Sequence, residues 1–64
     1  MGMTTKETIR AYLLSEAERA VNEIRSDNGL PYIRGTGWAA EMLDTAASPD
    51  DLLDLLAEKA LEGK

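Results

Sequence analysis

Ser48-Pro49-Asp50-Asp51-Leu52-Leu53-Asp54-Leu55-Leu56-Ala57-Glu58-Lys59-Ala60-Leu61-Glu62 carries the strongest helix start in the chain. Ser48 is a residue type that caps a first turn, Pro49 fits the first helical position, and Asp50 and Asp51 lie where the helix dipole favours negative charge. The stretch predicts a helix from Pro49 to about Glu62. Its apolar arc of Leu52, Leu53, Leu55, Leu56, Ala57 and Ala60 covers well over half a turn, and Leu61 widens it. A helix burying one stripe in a three-helix monomer does not need Leu53 and Leu55 on opposite edges of its face. Either this helix is central to a small core, or one of its edges packs on a second copy or another partner.

Two further helices are readable upstream. Thr4 and Glu7 have the spacing at which each side chain satisfies the other residue's free backbone N–H. Ile9, Leu13, Ala17, Ala20 and Ile24 then recur at steps of three or four, flanked by Leu14 and Val21 on one side and Tyr12 on the other. Glu16, Glu18, Arg19, Asn22, Glu23 and Arg25 fall outside this stripe. The first helix is expected from about Thr5 to Arg25 and is the longest element. Asp27-Asn28-Gly29 ends it, because Asn and Gly tolerate the left-handed conformation of a helix terminus, and Pro31 follows. Three glycines and a proline make residues 27–37 an irregular loop. Tyr32 and Ile33 suit a short extended piece, although no partner strand is visible. Thr36 is expected to cap a second helix that places Trp38, Ala39, Met42, Leu43 and Ala46 on one face.

The expected fold class is therefore all-α: a small three-helix domain with one long N-terminal helix, an irregular Gly/Pro loop and two shorter helices. One domain spans residues 1–64, with residues 1–3 expected to be disordered or partly a cloning scar.

Composition narrows the chemistry. The chain has 64 residues, of which 44% are hydrophobic, and a chain this short buries only about 60% of its unfolded surface. It has neither Cys nor His, so thiolate ligands, disulfides, cysteine nucleophiles and imidazole bases are excluded. Ser15, Ser26 and Ser48 have no His, and none precedes a Lys by three residues. Gly35-Thr36-Gly37 lacks the strand, spacing and Lys of a phosphate cradle. No calcium-loop pattern is present. The expectation is a protein that is not an enzyme and uses no cofactor or metal. No apolar run approaches the roughly 18 residues of a membrane span, and no signal core is visible, so a cytoplasmic location is expected.

Charge is unevenly placed. The net charge of −5 sits entirely in residues 38–64, where Glu41, Asp44, Asp50, Asp51, Asp54, Glu58 and Glu62 face only Lys59 and Lys64. Direct nucleic-acid binding needs clustered Lys and Arg, so this half is expected to meet a basic protein surface instead. Asp51, Asp54, Glu58 and Glu62 step along one face of the third helix at about 5–6 Å intervals, a spacing that resembles a short run of nucleic-acid phosphates. Lys59 lies about 100° from Glu58 around the helix and is expected to leave the row unpaired. The same row is also what the solvated side of any amphipathic helix looks like. A second candidate surface is the loop: Tyr32, Arg34 and Trp38 are residue types enriched at interface centres. Trp38, the only Trp, sits on the apolar face of the second helix and is expected first of all in the core.

Gly29-Leu30-Pro31-Tyr32-Ile33-Arg34-Gly35-Thr36 resembles the Gly-x-Pro-x-Ile-Arg-Gly-Thr signature of small bacterial helix-turn-helix domains found with antitoxins. Ser48-Pro49-Asp50-Asp51-Leu52-Leu53 is similar to that family's Ser-Pro-Glu-Glu-Ile-Leu second-helix start. The resemblance spans residues 29–53 and implies a trihelical DNA-binding or toxin-neutralising role. The chain departs from the pattern at Gly37, where the family has a basic residue, and in an intervening helix about one turn short. The family's last helix is missing.

The sequence thus supports a small acidic, non-enzymatic protein-binding module, an inhibitor or regulator that engages a basic surface of a nucleic-acid-handling protein, as anti-CRISPR and other phage anti-defence proteins do. Its candidate partner-binding residues are Asp51, Asp54, Glu58, Glu62, Tyr32, Arg34 and Trp38. The alternatives are an antitoxin-type helix-turn-helix transcriptional regulator and a structural homodimer module.

Overall fold

A computed structural model describes residues 2 and 4–64, so the expectation for Met1 and Met3 lies outside the described residues. Three helices follow in order: α1 (Thr5–Asp27), α2 (Gly37–Thr45) and α3 (Pro49–Ala60). Among the described residues there is no strand, and the fold is an all-α three-helix bundle.

Local chemistry sets the helix ends. Glu7 N–H donates to the Thr4 hydroxyl at 3.1 Å while Thr4 N–H donates to the Glu7 carboxylate at 3.2 Å. At the far end of α1, Leu30 N–H donates to Arg25 C=O at 2.8 Å and Gly29 N–H to Ser26 C=O at 3.1 Å. These paired bonds need a left-handed residue between helix and loop, and Gly29 supplies it at φ 71°. The Ser48 hydroxyl accepts Asp51 N–H at 3.1 Å, and the Asp51 carboxylate accepts Ala47 N–H at 2.9 Å, so α3 starts doubly capped. It ends at Ala60, two residues earlier than the sequence suggests, in a turn with Gly63 at φ 93°. Thr36 stands at the N-cap of α2, but its side chain makes no capping bond. Its backbone, at φ −120° and ψ 3°, is not in the extended region that such a cap uses.

α1 and α3 run in the same direction and α2 against both. Arg10, in the first half of α1, forms a two-pronged ion pair with Asp44 in the last turn of α2, at 2.9 and 3.1 Å. Leu13 shares a groove with Leu52 and Leu53 near the start of α3, whereas Arg25 reaches Lys59 and Glu62 at its end. The centre is made of Val21, Ala39 and Ala60, one from each helix and small enough to let the backbones approach closely. Leu14, Leu43, Leu52 and Leu56 ring this centre half-buried. The expected inner face of α2 is found, with Ala39 buried and Trp38, Met42, Leu43 and Ala46 half-buried.

The phase of α1 differs from the expectation. Its inner line is Leu14, Ala17, Glu18, Val21, Asn22 and Arg25, and the last two are buried rather than facing solvent. Ile9, Leu13 and Ile24, from the predicted apolar stripe, remain 55%, 47% and 44% exposed, and Ala20 is exposed too. For Asn22 and Arg25 the cause is the loop: residues 28–36 double back along α1 and bring backbone groups that polar side chains can satisfy and apolar ones cannot. The result is a flattened body of 41 × 25 × 14 Å with a radius of gyration of 12.4 Å, against about 11 Å for a compact chain of this length. No helix among the described residues is long and apolar enough to cross a membrane.

Candidate functional site

The loop that carries Tyr32 and Arg34 is held by two side chains of α1. Asn22 treats Ile33 as a neighbouring strand would. Its amide nitrogen donates to Ile33 C=O at 2.9 Å and its amide oxygen accepts Ile33 N–H at 2.8 Å, while the same nitrogen also reaches Glu18 C=O at 2.9 Å. Tyr32 and Ile33, expected as a short extended piece, form no strand among the described residues, and the backbone N–H and C=O of Ile33 are met by the Asn22 side chain. Arg25 donates from Nε to Pro31 C=O at 2.7 Å and from Nη1 to Lys59 and Glu62 C=O at 3.1 and 2.8 Å. Its charge is buried and, among the described residues, forms no ion pair with a carboxylate; it lies against carbonyls at the negative end of the α3 dipole, where a cation is favoured. Neither residue stands out from an apolar-stripe reading of α1. The available signal is that both lie in step with Val21 while a strand-like pair of residues downstream has no strand to join.

With the loop fixed, Tyr32 is 63% exposed and borders a shallow polar hollow with Ser15, Arg19, Asn22 and Ser26 of α1. Arg34 is exposed and, among the described residues, makes no hydrogen bond or ion pair. Trp38 is half-buried on the inner face of α2 and shares a hollow with Glu41, Met42, Thr45, Leu55 and Lys59. Its indole N–H is buried without an acceptor among the described residues. The loop candidates are thus divided: Tyr32 lies against α1, and Trp38 lies at the edge between α2 and α3.

The carboxylate row on α3 resolves into residues with different tasks. Asp51 is half-buried and committed to Ala47 N–H. Glu62 pairs with Lys59 at 3.3 Å, so the row is not wholly unpaired as its spacing suggests. Lys59 reaches forward one turn to Glu62 rather than sideways to Glu58. Asp54 and Glu58 are exposed and, among the described residues, accept no hydrogen bond and form no ion pair. At 100° per residue both point away from the inner residues Leu52, Leu56 and Ala60. The Trp38 hollow lies on the flank of α3 beside Glu58 and Glu62, because it is bordered by Leu55 and Lys59. Trp38 and Glu41 thus lie toward the Glu58 and Glu62 side of α3, whereas Tyr32 borders a different hollow on α1. Among the described residues no group of three or more Asp or Glu side chains is arranged to hold a metal ion. The chain matches no family model, no curated protein and no solved structure.

Proposed function

We propose that the chain is a non-enzymatic protein-binding module that inhibits or regulates a nucleic-acid-handling protein by covering a basic surface of it, as an anti-CRISPR or similar anti-defence protein does. The observation that carries this reading is the pair Asp54 and Glu58. Two neighbouring carboxylates stand outward from a well-capped helix and, among the described residues, form no ion pair. Like charges one turn apart cost stability on an isolated helix, and a row of Lys or Arg on a partner would relieve that cost. Long-range attraction between a −5 chain and a basic groove speeds encounter, while Trp38 and Glu41 at the margin fix orientation.

The test is affinity capture from the native host, with and without phage infection, using the wild-type chain and the Asp54→Lys/Glu58→Lys variant as baits. The reading expects a nucleic-acid-binding protein retained by the wild type and lost with the variant, whose helicity stays intact. Equal retention by both baits contradicts it. A second reading, the antitoxin-type helix-turn-helix regulator, is favoured by the short turn of residues 46–48 between α2 and α3. It requires α3 or α2 to approach phosphates, and the outward side of α3 bears carboxylates, so we place it second. A gel shift against mixed duplex DNA at low salt separates the two.

A further inference from the structure

The apolar stripe that α1 does not bury is self-complementary. At 100° per residue, Lys6, Ile9, Leu13, Ala20, Ile24 and Asp27 fall within an arc of about 60° on the outer side of α1. All six are exposed, and neither Lys6 nor Asp27 has an ion-pair partner among the described residues. Their order reads the same in both directions. An antiparallel second copy, related by a two-fold axis between positions 16 and 17, sets Ile9 against Ile24 of that copy. It sets Leu13 against Ala20, large against small, and Lys6 against Asp27, opposite in charge. Each contact occurs twice, as a closed two-fold interface requires.

The bundle widens this seam on one side. Leu13 and Leu53 border the same groove between α1 and α3, so the exposed α3 residues Leu53, Ala57 and Leu61 lie on the same broad side as the α1 stripe. The area agrees. A compact monomer of 7.0 kDa exposes about 4,000 Å², whereas this chain exposes 4727 Å². The excess of about 700 Å² is close to the roughly 800 Å² that each member of a standard interface buries. We infer that the chain forms a two-fold homodimer in which α1 packs antiparallel on α1 of a second copy across Ile9, Leu13, Ala20 and Ile24. The occupant of the open face is this chain itself, and the outward carboxylate Glu58 stays accessible in both copies.

The experiment is sedimentation equilibrium combined with thiol cross-linking, which the absence of native cysteine makes unambiguous. The wild type is expected at twice its 7.0 kDa mass. Leu13→Glu/Ile24→Glu is expected to halve that mass while keeping its helicity, because both residues are exposed in the single chain. Mixing Ile9→Cys with Ile24→Cys chains is expected to give a cross-linked heterodimer with a short thiol linker, whereas Ile9→Cys alone gives none. Lys6→Glu and Asp27→Lys each weaken the dimer, and the chain with both changes recovers it. A wild-type chain that remains single at about 1 mM overturns the proposal. So does a dimer that survives Leu13→Glu/Ile24→Glu, or one in which Ile9→Cys cross-links to itself.

Discussion

Replacing Arg25 with Ala removes a side chain that joins three parts of the C-terminal end: α1, the loop and the end of α3. The guanidinium donates to Pro31, Lys59 and Glu62 carbonyls at 2.7–3.1 Å from a buried position. Charged hydrogen bonds are worth about 1.5–3 kcal/mol each, but the three share one side chain, and water can reach part of what Ala vacates. A loss of about 3 kcal/mol is the working figure, and a domain of this length has only about 3–10 kcal/mol in total. The melting temperature should fall by about 12–24 °C, at about 4–8 °C per kcal/mol for so small a domain. Arg25→Lys keeps the charge near the α3 terminus, but one nitrogen cannot span Pro31 and both α3 carbonyls, so about half the loss remains. Urea denaturation followed by circular dichroism, with Trp38 emission as a second probe, measures both variants. An Arg25→Ala chain within about 0.5 kcal/mol of the wild type refutes the clamp, since that is the scatter of ordinary surface substitutions. An Arg25→Lys chain as stable as the wild type shows instead that charge at the dipole, not the fork, is what counts.

Three smaller perturbations follow from the same geometry. Asn22→Ala leaves Ile33 N–H and C=O without partners and should cost about 2 kcal/mol, with faster amide exchange at Ile33 and unchanged exchange in the middle of α1. Gly29→Ala forces a side chain into φ 71° and should cost about 1 kcal/mol in a urea titration. Nothing lies within 4 Å of the added Cβ, so the loss is of backbone origin alone. Ser48→Ala removes the hydroxyl that accepts Asp51 N–H and should cost about 1 kcal/mol, with Ser48→Gly costing only a few tenths.

The cap expected of Thr36 did not form because its backbone is not extended, but the helices and the caps of α1 and α3 were legible because they depend on neighbours in sequence: Thr4 with Glu7, Ser48 with Pro49 and Asp51, Gly29 after Asn28. The inner face of α2 was legible for the same reason, since its apolar residues have few other places to go. The phase of α1 was not. A stripe analysis assigns Ile9, Leu13 and Ile24 to the core because it treats burial as a property of apolar side chains, whereas the loop presents carbonyls that only Asn22 and Arg25 can satisfy. That depends on where residues 28–36 travel, which no local pattern encodes. At the candidate site, the spacing of the α3 carboxylates located the outward face, but not how it divides. Asp51 turns to Ala47 and Glu62 to Lys59 because each has a donor one turn away, and this leaves Asp54 and Glu58 as the open pair. Arg34 stays exposed, and Tyr32 borders α1 rather than joining the acidic face.

The reading rests on the outward carboxylates of α3 acting as a stand-in for phosphates, and competition is its most direct measurement. Any nucleic-acid-binding protein that the affinity capture retains on the wild-type chain is loaded with its labelled nucleic acid, and displacement is followed as the chain is added at low and at high salt. Displacement by the wild type, weaker displacement at high salt, and none by Asp54→Lys/Glu58→Lys are the expected results if the α3 carboxylates mimic phosphates. A ternary complex in which the partner holds nucleic acid and chain together, or equal displacement by the charge-reversed variant, contradicts that mimicry.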